Sequence, residues 1–104
     1  MLTFKIPAVA LVCSAIAASA WADPVPVAVR GLAATCASCH GTDGRTAPGS
    51  AVPGLAGLKA DYIVAQMQAF KSGARPATVM HQLAKGYTDE QIGQIAQYLS
   101  IQKP

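Results

Sequence analysis

The sequence contains few charged and few aromatic residues, which make up 12% and 6% of its 104 positions. The formal net charge is +3 and no cluster of basic residues is visible, so we expect no nucleic-acid partner. No segment has the alternating pattern of a convincing strand, and no apolar run is long enough to predict a membrane-spanning helix. Large side chains are few beyond the N-terminal region, so the chain needs other contacts to complete its core.

The most informative feature is the run Cys36-Ala37-Ser38-Cys39-His40, whose C-x-x-C-H spacing is the attachment signature of a c-type haem. In a helical turn, residues three and four apart share a face, so both sulfurs and the imidazole can converge on one planar ligand. Cys36 and Cys39 would form thioether links, and His40 would bind the iron. The motif occurs once, which predicts one covalent haem c that also completes the core.

A C-x-x-C pair has three alternative functions, which the motif alone leaves open: a dithiol redox site, a local disulfide and half of a zinc site. A thioredoxin-like site expects a βαβ pattern, which this sequence lacks. A zinc site needs a fourth ligand, and His81 is the remaining histidine, with Asp or Glu as weaker candidates. Hydrolysis has no support, because Ser38 has no obvious acid partner and His40 is assigned to iron. We therefore do not expect the chain to be catalytic alone.

The N-terminal region has the pattern of a secretory signal peptide. A short positive segment ends at Lys5, and residues 6–18 are an apolar, alanine-rich stretch too short to span a bilayer. The run A-W-A at residues 20–22 fits cleavage after its last alanine, and cleavage two residues earlier is the alternative. We predict a cleaved signal peptide over residues 1–22 and a single periplasmic domain over residues 23–104, without stable membrane insertion. A retained anchor is the other interpretation.

Helical patterning predicts an all-α domain. Residues 27–35 form a short predicted helix that runs into the motif, and residues 61–71 form a second helix. The last helix begins at Thr88, which with Gln91 three residues later matches a capping box. One face of that helix then carries an apolar stripe, made up of Ile92, Ile95, Ala96 and Leu99.

Glycine and proline mark two further features. Gly31 lies inside the first predicted helix, where glycine costs about 1 kcal/mol relative to alanine. Either another backbone approaches closely there or the helix tolerates the loss, and we favour the close approach. Residues 41–57 are rich in Gly, Pro, Ser and Thr with little periodicity, so we expect a loop wrapped around the haem edge.

The second axial ligand decides the kind of haem function, because a closed coordination sphere suits electron transfer and an open one permits gas binding or catalysis. Met80 is the leading candidate, since it follows a non-periodic segment that could carry a thioether over the opposite haem face. Thioether sulfur stabilises ferrous iron and raises the reduction potential. The alternatives are His81, an open site, and Met67, which we expect to be a core residue.

The motif, a proline-glycine loop and a methionine before the last helix together resemble class I cytochromes c. The resemblance implies a class I cytochrome c fold, with helices wrapped around one covalently attached haem. In that family a loop proline carbonyl accepts a hydrogen bond from the proximal histidine, which orients the imidazole and raises its basicity. Pro53 sits where such a proline is expected, and Pro48 is the alternative.

A finer resemblance is to the cytochrome subunits of flavocytochrome c sulfide dehydrogenases. It is carried by D-Y-I at residues 61–63, F-K-S-G-A-R-P at residues 70–76, T-V-M at residues 78–80 and A-K-G-Y-T-D-E at residues 84–90. In those enzymes a flavin subunit oxidises sulfide and passes electrons to the haem subunit. Halves of two-haem bacterial cytochromes share the F-K-S-G run, whereas this chain has one haem motif.

The resulting prediction is periplasmic single-electron transfer through a haem with His/Met ligation. The resemblance implies a flavoprotein (FAD) subunit as electron donor and a further protein as downstream acceptor. The first alternative is a free-standing soluble cytochrome c that shuttles between respiratory complexes. The second is a gas-binding or catalytic haem protein, which requires that Met80 does not bind the iron.

Overall fold

A computed structural model describes residues 2–3 and 25–104. Over these residues the secondary structure is helical, with no strand. The elements are α1 (Val27–Ala34), α2 (Ala37–His40), a 3-10 turn (Thr42–Gly44), α3 (Ala60–Ser72), α4 (Met80–Lys85) and α5 (Asp89–Ser100). The all-α prediction is confirmed. The predicted cleavage site and all but two residues of the predicted signal peptide lie outside the described residues.

Helix α1 begins directly after Pro26, whose carbonyl accepts hydrogen bonds from the N–H groups of Val29 (2.9 Å) and Arg30 (3.1 Å). Proline is tolerated at this N-cap position because an N–H group at the start of a helix has no partner within the helix. Thr35 closes the other end by donating its hydroxyl to the carbonyl of Leu32 at 2.7 Å. The helix therefore ends at Ala34, two residues before Cys36.

The prediction that another backbone approaches Gly31 closely is wrong. A Cβ atom built on Gly31 meets nothing within 4 Å, and the residue is exposed. Helix α1 does pack against α5, but its buried position is Ala33. The helix simply tolerates the cost of about 1 kcal/mol that an interior glycine carries.

The core lies between α3, α4 and α5. Its buried apolar residues form one cluster: Ile63, Met67, Ala84, Ile92, Ile95, Ala96 and Leu99. The predicted stripe of α5 supplies four of these residues, and Met67 is in the core as expected. The predicted capping box is also present, since the Thr88 hydroxyl accepts from the N–H of Gln91 and the Gln91 side chain accepts from the N–H of Thr88. None of the helices within residues 25–104 is long and apolar enough to cross a membrane.

Helix α4 is the element that the sequence pattern did not predict. Its six residues are too few to display a helical period, and they follow the non-periodic residues 74–79. The structure packs α4 mainly against α3, with Ala84 fully buried in the contact. Met80 is the first residue of this helix, so the predicted thioether donor lies on a helix and not in a loop.

Candidate haem site

The C-x-x-C-H run folds as a single helical turn. The N–H of His40 donates to the carbonyl of Cys36 at 3.0 Å, and the N–H of Gly41 donates to that of Ala37 at 2.9 Å. Gly41 then ends the turn with φ +82°, where a Cβ atom would lie 1.8 Å from the carbonyl oxygen of Arg45. A glycine is required here because both the left-handed φ and the close backbone exclude a side chain.

His40 is buried, with 8% of its surface exposed, and its Nδ1 lies 2.7 Å from the carbonyl oxygen of Pro53. A carbonyl can only accept, so Nδ1 carries the proton and donates this hydrogen bond. In the neutral ring the other nitrogen, Nε2, then has a lone pair that can bind a metal. The structure thus brings together the two residues that the resemblance paired, and it gives no such contact to Pro48.

Gly44 holds the loop that presents Pro53. The carbonyl of Gly44 accepts from the N–H groups of Leu55 (2.8 Å) and Ala56 (3.2 Å). Gly44 itself is buried at φ +77°, and a Cβ there would lie 2.9 Å from the nitrogen of Ala56 and 3.0 Å from the side chain of Leu99. The chain after His40 is therefore locked against the chain after Pro53.

Asp43 extends this junction to the C-terminal helix. It has φ +55°, a left-handed conformation that aspartate tolerates better than most residues. Its Oδ1 accepts a hydrogen bond from the Tyr98 hydroxyl at 2.6 Å, and its Oδ2 lies 3.3 Å from Nη1 of Arg45. The bond from Tyr98 lowers the pKa of Asp43 and raises that of Tyr98. Sequence reasoning missed this junction, although the spacing of Gly41 and Gly44 after the motif was a signal for a tight turn.

The two cysteines differ in environment, and both thiols are free. Cys36 is half-buried against the core, and burial raises its pKa, an effect that a hydrogen bond with Thr35 partly offsets. Cys39 is exposed. One sulfur therefore faces apolar side chains and the other faces the surface, an arrangement that suits a flat ligand with one edge buried and one edge open.

Met80 is partly buried and packs against the same core cluster as Cys36. Met67, the alternative methionine ligand, lies inside that cluster with 8% of its surface exposed. Its side chain packs in the core, so it is the less suitable ligand. His81 follows Met80, and its Nδ1 is buried without a hydrogen-bond partner among the described residues. This unpartnered nitrogen makes His81 the stronger of the two rivals to Met80.

The donor set fits a haem better than a single metal ion. Within residues 2–3 and 25–104, no three Cys, His, Asp or Glu side chains are grouped closely enough to hold a metal ion. A zinc site needs four such donors around one point, whereas a c-type haem places its thioether sulfurs at the edge of the macrocycle and only the imidazole at the iron. The donors of this chain match the haem pattern: they are two free thiols, a lone pair on His40 and a thioether on a separate helix.

A family model described as cytochrome c matches residues 28–102 of this chain. The match includes the C-x-x-C-H run, Pro53 and Met80. It therefore spans nearly all of the described residues, from the first turn of α1 to the end of α5.

Individual relatives agree with the family match. The cytochrome subunit of sulfide dehydrogenase from Chlorobaculum tepidum is 46% identical over 67 residues, which are 64% of this chain and 59% of that protein. The thiosulfate dehydrogenase electron acceptor of Thiomonas intermedia is 39% identical over 85 residues, which are 81% of this chain and 39% of that protein. Cytochrome c-554(548) of Halomonas halodenitrificans is 41% identical over 73 residues, which are 66% of this chain and 86% of that protein. The chain thus spans less than two thirds of the first two relatives. The resemblance inferred from the motifs is confirmed.

Proposed function

This chain belongs to the cytochrome c family, and on that basis we propose that it transfers single electrons in the periplasm through a haem bound by His40 and Met80. As a member of the family with one C-x-x-C-H run, it carries one covalent haem c and functions in electron transfer. Cys36 and Cys39 form the thioether links in this proposal. When bound, the haem supplies a one-electron couple between ferric and ferrous iron.

The observation that carries the proposal is the hydrogen bond from His40 Nδ1 to the carbonyl of Pro53. It fixes the imidazole tautomer, leaves Nε2 to bind iron, and increases the basicity of that nitrogen. Because His40 is buried, water does not compete for this hydrogen bond. The chain thus holds its proximal ligand in one orientation, which keeps structural rearrangement small when an electron arrives.

Met80 is the proposed second ligand. It lies on an element separate from the motif and packs beside the same core cluster as Cys36, which supports Met80 as the residue that would complete the binding of the iron with His40. A thioether favours ferrous iron, so it suits a chain that accepts an electron before passing it on. Closing the coordination sphere in this way also disfavours the gas-binding and catalytic alternatives.

The proposed electron donor is the flavoprotein subunit of a sulfide dehydrogenase. The similarity to the Chlorobaculum tepidum cytochrome subunit supports this donor. The proposed docking surface is formed by Arg75, Val79, Leu83 and Lys85, and we call it the distal surface. Val79 and Leu83 are 53% and 50% exposed there, and both cations are exposed. Apolar residues with a charged rim are typical of protein interfaces.

A second candidate is a carrier that meets its donor only transiently. The similarity to the thiosulfate dehydrogenase electron acceptor of Thiomonas intermedia supports this candidate. It uses the same haem and the same ligands, and it differs in whether a dehydrogenase binds the chain stably. The proposed periplasmic location, with removal of residues 1–22, is common to both candidates.

Stopped-flow mixing of a reduced sulfide dehydrogenase flavoprotein with the oxidised cytochrome tests the donor. We expect rapid haem reduction and a stable complex, and we expect Leu83→Asp to slow the reduction because it places a charge on the distal surface. Ile101→Asp is the matched control, since Ile101 is an equally apolar, 65% exposed residue beyond the end of α5. Rapid reduction without a stable complex would favour the transient carrier. The absence of both rapid reduction and a stable complex would rule out the flavoprotein donor.

A further inference from the structure

A hydrogen bond between Thr35 and Tyr87 joins two segments that are far apart in sequence. The Tyr87 hydroxyl lies 2.5 Å from Oγ1 of Thr35, and that Oγ1 is also 2.7 Å from the carbonyl of Leu32. A threonine hydroxyl has one proton, and a carbonyl can only accept. Thr35 therefore donates to Leu32 and accepts from Tyr87, which assigns the phenol as the donor.

On one side this hydrogen bond holds the start of the haem motif. Thr35 is the residue before Cys36, and its Oγ1 lies 4.0 Å from the Cys36 sulfur. The N–H of Cys36 donates to the carbonyl of Ala33 at 3.1 Å, so the backbone here continues from α1. The hydrogen bond from Tyr87 to the Thr35 hydroxyl is therefore made close to one of the two sulfurs that would attach the haem.

On the other side the hydrogen bond holds the end of α4. Tyr87 comes two residues after that helix, and its N–H donates to the carbonyl of Ala84 at 3.2 Å. The carbonyl of Tyr87 in turn accepts from Nζ of Lys71 on α3 at 2.6 Å, and its ring packs against the core. Tyr87 is thus tied directly to the end of the helix whose first residue is Met80.

We propose that Tyr87 is a positioning residue for Met80. Its hydrogen bond to Thr35 sets the distance between α4 and the haem motif, and so keeps the Met80 sulfur within reach of the iron. Helix α4 has only six residues and packs mainly against α3, so a direct tie to the motif limits how far it can swing away. This inference rests on the proposed ligation of iron by Met80.

Imidazole binding to the ferric, fully matured protein measures this effect, because imidazole must displace Met80 before it binds. A single hydrogen bond contributes about 1 kcal/mol, so Tyr87→Phe should raise the apparent imidazole affinity about fivefold. Thr35→Val should have the same effect, whereas Thr35→Ser keeps the acceptor and should behave like the parent protein. Combining Tyr87→Phe with Thr35→Val should add little to either change alone, because both remove the same contact.

Tyr98→Phe is the matched control. It also removes a phenol hydrogen bond, the one to Asp43 at 2.6 Å, but this bond joins α5 to the 3-10 turn after the motif and does not involve α4 or Thr35. We expect it to lower the free energy of unfolding without changing the imidazole affinity. This comparison separates positioning of Met80 from a general loss of stability.

The far-red sulfur-to-iron absorption band of the parent protein distinguishes the possible failures. If the band is present and Tyr87→Phe leaves the imidazole affinity unchanged, or changes it no more than Tyr98→Phe does, the role of Tyr87 is overturned while the ligation by Met80 stands. If the parent protein lacks the band, the ligation itself is wrong and the inference falls with it. A selective rise for Tyr87→Phe and Thr35→Val, with the band present, supports the proposal.

Discussion

The two sides of the haem site are built in different ways. On the proximal side, Cys36, Cys39 and His40 lie in one helical turn, and the imidazole is buried and hydrogen-bonded to Pro53. On the proposed distal side, Met80 begins a separate short helix that packs on α3, and Tyr87, two residues after that helix, is hydrogen-bonded to Thr35 beside the motif. Attachment therefore depends on local spacing, whereas the position of the proposed second ligand depends on contacts between distant segments. We expect substitutions on the first side to abolish the cofactor and those on the second to alter its properties.

The largest effect should come from breaking the proximal side. Replacing both Cys36 and Cys39 with alanine should leave no covalent haem, because no thiol remains to form a thioether in the motif. Mass spectrometry of the denatured protein, expressed with a competent maturation system, measures this directly. Ser38→Ala is the control within the same turn and should keep the added haem mass. A double variant that still carries covalent haem would contradict the assignment.

The next effect separates the two methionines. Met80→Ala should abolish the far-red band, lower the reduction potential and open the iron to carbon monoxide, because a thioether ligand is lost. Met67→Ala should keep the band but reduce the free energy of unfolding by about 2–5 kcal/mol, since it leaves a cavity in the core. His81→Ala tests the remaining rival and should change neither property much. Survival of the band in Met80→Ala would identify the ligand as another residue.

The smallest effect concerns how the free energy of unfolding changes at acidic pH, through one aspartate on each side of the site. Asp43, on the proximal side, has its pKa lowered chiefly by the hydrogen bond from Tyr98, and Asp89, near the distal side, has its pKa lowered chiefly by that from Gln68. A carboxyl with a lowered folded-state pKa stabilises the protein above its usual pKa, and this contribution is lost as the pH falls through the lowered value.

Urea unfolding at neutral and acidic pH measures this contribution in Asp43→Asn and Asp89→Asn. Each variant should be less stable than the parent at neutral pH, and the difference should shrink as the pH falls. The change should be smaller for Asp89, whose side chain is 80% exposed and well screened by solvent. Equal pH dependence of a variant and the parent would show that its carboxyl does not contribute.

Sequence patterns predicted the long elements well and the short ones poorly. The capping box at Thr88 and the stripe from Ile92 to Leu99 identified α5, because both depend on residues within one or two turns. Helix α4 escaped prediction, since six residues show no period and its place is set by packing on α3. Gly31 was misinterpreted because a glycine inside a helix does not indicate whether another backbone lies beside it.

The sequence by itself determined the kind of cofactor and the residues of the motif, because the spacing of Cys36, Cys39 and His40 constrains their geometry within one turn. The pairing of Pro53 with His40 was implied by the resemblance, and the structure supplied the 2.7 Å contact. Only the tertiary structure revealed that Tyr98 reaches Asp43 and that Tyr87 reaches Thr35. Each of these contacts joins residues more than fifty positions apart, so it exists only after the helices have packed and no local pattern encodes it.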